Sequence, residues 1–170
     1  MRTSSILNSV IGPIMTGCSS SHTAGPYYIA KMFRSIFKGL PKETSFLIEP
    51  GSSLSCSYHE QGSDLAMIMG LLDIPFTDSR FKNAFSVFPE YGAKIEFKLE
   101  SFTEAIHPNS IKIIAKGADG KIITAVADST GGGSLLFRFI NNIKVSITGD
   151  KYHIIVSADE VHEKKIQSLL

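Results

Sequence analysis

The chain has 170 residues, enough for one well-buried core and at most a small additional unit. Apolar residues make up 43% and charged residues 19%, which is typical of a folded globular domain and excludes a disordered segment. The formal net charge is +1 and the basic residues are scattered, which argues against nucleic-acid binding because such proteins carry a basic patch.

The sequence also argues against a membrane protein and a secreted one. No run approaches the roughly 20 apolar residues needed to span a bilayer. Residues 1–9 carry one arginine and no continuous apolar run, unlike a secretory signal. Cys18 and Cys56 are the only cysteines, too few for a disulfide framework or for holding a four-iron cluster without other ligands. We therefore expect a cytoplasmic protein.

The start of the chain predicts helices separated by polar loops. A short helix is expected over 5–10, with a serine at its start. A polar run over 16–26 leads into an amphipathic helix, whose apolar residues recur at i, i+1, i+4 and i+5 over 28–37. Pro26 suits the first turn of that helix, and Gly39 ends it.

A strand and two more helices are expected next. Residues 45–49 predict a short strand, and the polar loop 58–64 leads into an apolar helix over 65–72. Asp78 is expected to cap a third helix that reaches Phe85.

The second half changes to strand-like runs separated by turn signals. Asp119-Gly120 predicts a hairpin, Asn141-Asn142 a further turn, and Gly131–Gly133 a bend or bulge between strands. Helices followed by antiparallel strands predict an α+β fold, a two-layer sandwich of helices on a mostly antiparallel sheet. The expected strands span 93–100, 111–116, 121–127, 135–140, 143–148 and 152–157, before a last helix over 159–170.

The most informative segment is the run of hydroxyls around His22, just before the amphipathic helix. A helix N-terminus offers unpaired N–H groups and partial positive charge, so it suits a carboxylate or phosphate. Hydroxyls add hydrogen-bond donors, and an imidazole can exchange protons near neutral pH. Serine-rich turns also cap helices with no ligand at all, so a purely structural role stays open.

Five motifs, in chain order, resemble the β domain of iron–sulfur L-serine dehydratases, and the likeness covers residues 5–158. The motifs are Ile11-Gly12-Pro13-Ile14-Met15-Thr16-Gly17 with Ser19-Ser20-Ser21-His22-Thr23-Ala24-Gly25-Pro26, then Gly62-Ser63-Asp64, His107-Pro108-Asn109-Ser110, Ser129-Thr130-Gly131-Gly132-Gly133 and Thr148-Gly149-Asp150.

The resemblance implies a lyase component that converts L-serine to pyruvate and ammonia. It implies a 4Fe-4S cluster carried by a partner α chain or domain, none bound by this chain alone, and no activity without that partner. A homo- or hetero-oligomer is expected. The fold would resemble the substrate-binding domain of some 3-phosphoglycerate dehydrogenases. Residues 1–150 would form the β domain, and residues 151–170 a tail resembling the start of an ACT domain, either cut short or degenerate.

Carried over onto this chain, the resemblance implies that Ser19, Ser21, His22 and Thr23 face the substrate. His22 would transfer a proton or orient the substrate, while Ser21 and Thr23 would hold its carboxylate. The second loop would add Gln61, Ser63 and Asp64 as substrate-binding residues.

Two positions depart from the family pattern. Cys18 stands where the family usually has proline, and Gln61 stands where its second loop has histidine. Glutamine forms hydrogen bonds but cannot do acid–base work. His59 compensates if the loop is a strand, because residues i and i+2 of a strand share one face. Asp64 either orients a histidine or caps the following helix, and the cap is the favoured interpretation.

Two other interpretations stay open at this point. The same fold could serve as a non-catalytic regulatory module that binds an anion or an amino acid, an interpretation that Gln61 favours. It could also be a structural subunit that shields the cluster and makes no substrate contact.

Overall fold

The computed structural model describes residues 12–156 and residue 162. The helix expected over 5–10 lies outside the described residues. So does the helix expected over 159–170, apart from residue 162.

Two main helices form one layer of the domain. A π-helical turn, Ser20–Ala24, continues without a break into α1, Gly25–Phe37. Helical backbone therefore starts six residues before Pro26, inside the hydroxyl-rich run, because Ser19 already caps it. The second helix, α2, spans Ser63–Leu72.

The third predicted helix forms as a chain of short turns. Asp78 caps it as expected, and its side chain accepts a hydrogen bond from the Arg80 backbone N–H. A 3₁₀ turn over Ser79–Asn83 follows, then α3, Ala84–Val87, and a second 3₁₀ turn over Phe88–Tyr91.

Six strands form one mixed sheet, in the order β2-β1-β3-β4-β5-β6. β1 and β2 run parallel, and the four other neighbouring pairs are antiparallel. The parallel pair needs a long crossover, which α2 and α3 supply. The predicted α+β two-layer class is confirmed. The strands are β1 (Glu43–Ile48), β2 (Lys94–Leu99), β3 (Ser110–Lys116), β4 (Ile122–Gly131), β5 (Ser134–Ile140) and β6 (Ile143–Ile147).

Both predicted hairpin signals are confirmed, and one predicted strand is wrong. Asn141 and Asn142 both have left-handed backbone, with φ of 48° and 65°, where β5 turns into β6. Residues 152–156 form no strand, and Tyr152 and Ile154 are exposed. Apolar residues alone do not make a strand without a neighbouring strand to pair with.

The core lies between the helices and one face of the sheet. Phe33, Phe46 and Phe137 are fully buried there, one each from α1, β1 and β5. The two helices cross closely at Gly70, where an added Cβ would lie 2.2 Å from the Tyr27 carbonyl oxygen. This packing brings the N-terminal turn of α2 against the hydroxyl-rich turn that precedes α1.

Candidate functional site

The hydroxyl-rich turn is a helix N-terminus, and its N-cap residue, Ser19, also lies beside the imidazole of His22. Ser19 has extended backbone, and its hydroxyl accepts a hydrogen bond from the His22 backbone N–H at 3.2 Å. The Thr23 N–H donates to the Ser19 carbonyl at 2.8 Å. Ser19 therefore does the structural work of a cap, while its hydroxyl stays within 3.3 Å of His22 Nδ1.

The imidazole of His22 is held on both sides by serine hydroxyls. Nδ1 lies 2.9 Å from Ser21 Oγ, and Nε2 lies 3.1 Å from Ser53 Oγ. Ser53 belongs to the loop after β1, 31 residues away in sequence, and its contact with His22 is exposed to solvent. Sequence reasoning missed Ser53. The only signal was the density of serines after Pro50-Gly51.

Three fully buried residues hold this turn in place through hydrogen bonds from their side-chain hydroxyls to backbone carbonyls. Thr23 Oγ1 donates to the Gln61 carbonyl at 2.9 Å, and Ser129 Oγ donates to the Ser21 carbonyl at 2.6 Å. Ser63 Oγ donates to the carbonyl of His22. Each of these hydroxyls gives its single proton to a backbone carbonyl.

Two of the predicted site residues help to hold the turn in place. Thr23 and Ser63 are buried, and their hydroxyls donate to backbone carbonyls. Ser19 and Ser21 are only partly buried and keep the predicted placement beside His22. These two serines and the imidazole are therefore candidate donors for an anion.

The second loop contributes a histidine–carboxylate pair. Residues 51–62 form a series of turns, so the strand argument for His59 is wrong. His59 Nδ1 nevertheless lies 2.6 Å from Asp64 Oδ2, while Asp64 Oδ1 accepts from the Leu65 N–H at 2.7 Å. Asp64 thus orients a histidine and accepts a hydrogen bond from an N–H in the first turn of α2. The N-cap residue of α2 is Gly62, so the predicted cap at Asp64 is wrong. The hydrogen bond with Asp64 raises the pKa of His59.

Gln61 takes part in the loop's own hydrogen bonding. Its side-chain amide donates to Ser57 Oγ at 3.1 Å, and its carbonyl receives the Thr23 hydroxyl. Gln61 is therefore placed beside the hydroxyl-rich turn, with its amide nitrogen already bonded.

The electrostatics of the site suit a negatively charged ligand. The helical segment 20–37 and α2 both begin here, as the bond from Ser63 to the His22 carbonyl shows. A helix N-terminus carries a partial positive charge of about half an elementary charge. The first turn of α2 already contains the buried Asp64 carboxylate, whereas the helical segment 20–37 has no acidic residue in its first turn. The start of the segment 20–37, beside donor hydroxyls, therefore favours a carboxylate.

Two of the three later motifs, His107–Ser110 and Ser129–Gly133, form hydrogen bonds that support the site. The Pro108 carbonyl accepts from the Leu54 N–H at 3.2 Å, and the Asn109 carbonyl accepts from the Ser129 N–H at 3.1 Å. The turn that carries Pro108 and Asn109 thereby supports both the loop of Ser53 and the strand of Ser129. The glycine-rich segment turns β4 into β5 with a register shift between Ser129 and Gly131, which confirms the predicted bend.

A buried ion pair that sequence reasoning did not predict fixes the same end of β4. Arg138 donates to both oxygens of Asp128, with Nε at 2.6 Å and Nη2 at 3.0 Å. Ser110 Oγ donates to Asp128 Oδ1 at 2.7 Å. Asp128 precedes Ser129, so this cluster anchors the residue that holds the Ser21 carbonyl.

Among residues 12–156 and residue 162, no three histidine, cysteine, aspartate or glutamate side chains gather closely enough to hold a metal ion. Cys18 and Cys56 are exposed free thiols.

No helix within that same part of the chain is both long enough and apolar enough to cross a bilayer.

The fold and the site together define an α+β domain that presents an imidazole and serine hydroxyls at the meeting point of two helix N-termini. The chain is 34% identical over 161 residues to the probable L-serine dehydratase β chain of Bacillus subtilis (strain 168), covering 94% of this chain and 69% of that one. It is 31% identical over 151 residues to the L-serine dehydratase β chain of Peptoniphilus asaccharolyticus, covering 89% and 67%. No family model matches the chain. The chain belongs to the L-serine dehydratase β-chain family.

Proposed function

We propose that this chain is the β component of an L-serine dehydratase, active together with a cluster-bearing α chain and inactive without it. The proposed reaction converts L-serine to pyruvate and ammonia. It is supported by the names of the two relatives, both of which are L-serine dehydratase β chains. The observation that carries the proposal is the imidazole of His22, held between Ser21 and Ser53 at the solvent-accessible mouth of two helix N-termini.

The residues of this chain bind and orient the substrate. The carboxylate of L-serine lies at the helix N-termini and accepts hydrogen bonds from Ser19 and Ser21, whose hydroxyls are partly accessible. Thr23 and Ser63 hold the backbone of the turn in place, and Gln61 fixes its neighbouring loop.

His22 is the proton acceptor in this proposal. The bond between the α-carbon and its hydrogen breaks, and the proton passes to the imidazole. The electron pair forms the Cα–Cβ double bond as the Cβ–O bond breaks and the hydroxyl leaves. The resulting 2-aminoacrylate takes up a proton to become the imine, which water hydrolyses to pyruvate and ammonia. When bound by the partner chain, the cluster would supply a Lewis acid that helps the hydroxyl leave.

A second candidate is a regulatory module of the same fold that binds L-serine or another carboxylate without turning it over. Gln61 favours this candidate, since its amide is bonded to Ser57 and cannot exchange a proton. The two candidates agree on the binding surface and differ only in chemistry.

The deciding experiment reconstitutes this chain with a cluster-bearing α chain under anaerobic conditions and measures pyruvate formed from L-serine. We expect activity only when both chains are present. His22→Ala should lower kcat by about 10² to 10⁴, the usual contribution of a positioned acid–base group. The matched control is His153→Ala, at an exposed histidine with no role in the site, which should leave kcat unchanged.

Two outcomes would contradict the catalytic proposal. Near-normal kcat and KM in His22→Ala would remove the role of the imidazole. Binding of L-serine to this chain by calorimetry, with no pyruvate from the two-chain mixture, would instead support the regulatory module.

A further inference from the structure

The imidazole of His22 meets hydroxyls at both of its nitrogens, and the two sides of the ring differ. Nδ1 lies 2.9 Å from Ser21 Oγ and 3.3 Å from Ser19 Oγ, the two hydroxyls proposed to hold the substrate carboxylate. Nε2 lies 3.1 Å from Ser53 Oγ, on the loop after β1. A neutral imidazole carries one proton, so one nitrogen donates and the other accepts. These contacts therefore bear on which nitrogen can take a proton.

The position of the carboxylate selects Nδ1 as the accepting nitrogen. The α-hydrogen of L-serine is attached to the carbon next to the carboxylate. A carboxylate held by Ser19 and Ser21 therefore brings this hydrogen to the side of the ring that carries Nδ1. A base must lie within hydrogen-bond reach of the proton that it removes, and Nδ1 meets this requirement.

The loop that carries Ser53 is fixed to the fold, while the Ser53 side chain is exposed. The next residue, Leu54, is fully buried, and its N–H donates to the Pro108 carbonyl at 3.2 Å. The Ser55 N–H donates to Ser52 Oγ at 3.1 Å, which closes a turn around Ser53. The backbone therefore brings the Ser53 hydroxyl to Nε2, although that side chain fills no space in the core.

We infer that Ser53 is a positioning residue for His22: its Oγ accepts a hydrogen bond from Nε2–H and leaves Nδ1 to take the α-proton. This inference rests on the proposed function. In the free chain the Ser21 hydroxyl donates to Nδ1. Carboxylate binding turns that hydroxyl to the substrate, which uncovers the lone pair of Nδ1. The α-proton moves to Nδ1 while its electron pair forms the Cα–Cβ double bond. The hydrogen bond to Ser53 keeps the ring oriented throughout, the usual task of a third group beside a base.

Nitrogen NMR of the isolated chain, at a pH where the imidazole is neutral, measures which ring nitrogen of His22 carries the proton. We expect the proton on Nε2, with the signals assigned by their absence in His22→Ala. Ser53→Ala should change the chemical shift of Nε2, because it removes the hydrogen-bond acceptor. Ser53→Thr keeps the hydroxyl and should preserve the wild-type shift. A proton on Nδ1 in the wild-type chain would overturn the inference.

The kinetic test uses the reconstituted two-chain enzyme, with L-serine that carries either hydrogen or deuterium on its α-carbon. Losing one neutral hydrogen bond corresponds to roughly two- to tenfold in rate, so Ser53→Ala should lower kcat by about this factor. The isotope effect on kcat should rise, because removal of the α-proton becomes slower relative to the other steps. KM should stay within about twofold, since Ser53 does not hold the carboxylate.

Two further variants separate this role from a structural one. Ser53→Thr should recover both kcat and the wild-type isotope effect. Ser35→Ala, the matched control at an exposed serine of α1, should leave both unchanged. Because the Ser53 side chain is exposed, its variants should fold as the wild type does.

The failure of this inference is distinguishable from that of the proposed function. An active wild-type complex in which Ser53→Ala keeps both kcat and the isotope effect overturns the role of Ser53 alone. A wild-type complex without activity overturns the proposed function, and the catalytic role of Ser53 with it.

Discussion

Gly25 connects the start of α1 to the strand that supports the site, and replacing it tests that connection. A Cβ at position 25 would lie 1.8 Å from Ser129 Oγ and 2.7 Å from Ser129 Cβ. Ser129 is fully buried and donates to the Ser21 carbonyl, so it has no free space to move into. Gly25→Ala must therefore displace α1, β4 or the Ser129 side chain.

Two effects of Gly25→Ala should lower the free energy of unfolding. Overpacking a well-filled core costs about 1 to 3 kcal/mol. Loss of the hydrogen bond from Ser129 to the Ser21 carbonyl adds roughly 0.5 to 1.5 kcal/mol. We expect Gly25→Ala to lower the free energy of unfolding by about 1.5 to 4.5 kcal/mol. The urea midpoint should then fall by roughly 0.8 to 2.2 M at an m-value of about 2 kcal/mol/M.

Urea unfolding of four proteins measures the effect: wild type, Gly25→Ala, Ser129→Gly and the double variant. Ser129→Gly removes both atoms that the new methyl group would meet. The double variant should therefore be about as stable as Ser129→Gly alone, a strongly non-additive cycle. A midpoint unchanged in Gly25→Ala, or losses that simply add in the double variant, would refute the packing argument.

Three further predictions test the supports of the fold. Arg138→Met leaves buried Asp128 without its cation and should lower the free energy of unfolding by about 3 to 5 kcal/mol in urea; a loss within error would contradict it. Phe33→Ala, at a fully buried site, should lower it by about 3 to 5 kcal/mol in the same assay. The hydrogen bonds from Arg80 lower the pKa of Asp78 to about 2 from 3.8. Their stabilisation is present above pH 3.8 and is lost as pH falls through 2; Arg80→Met should raise that pKa in an NMR titration.

Much of the secondary structure followed from local patterns. The apolar stripe over 28–37 gave α1, and Asn141-Asn142 supplied the left-handed turn of a hairpin. Such signals work because a helical face or a tight turn depends on neighbours within a few residues. The local patterns failed where a strand needs a partner strand. Residues 152–156 have the apolar residues of a strand but form no strand in the described part of the chain.

The parallel pairing of β1 with β2 shows the same limit in the sheet. The strands after residue 93 predicted an antiparallel arrangement, whereas β2 returns beside β1 after the crossover through α2 and α3. The order of strands depends on where helices pack, which the alternation of apolar residues does not encode.

The sequence by itself determined the chemistry available at the site. It placed Ser19, Ser21 and His22 at a helix start, and its ordered motifs pointed to the correct family. These features are carried by contiguous residues, and a helix N-terminus attracts anions whatever surrounds it.

Only the tertiary structure decided which hydroxyls are accessible and which are already used. Ser53 reaches His22 from 31 residues away, and Ser129 reaches the Ser21 carbonyl from 108 residues away. Thr23, which the motif presents as a ligand, is buried and bonded to Gln61. A hydroxyl's role depends on what packs against it, and that is set by how the loops between strands meet the helices.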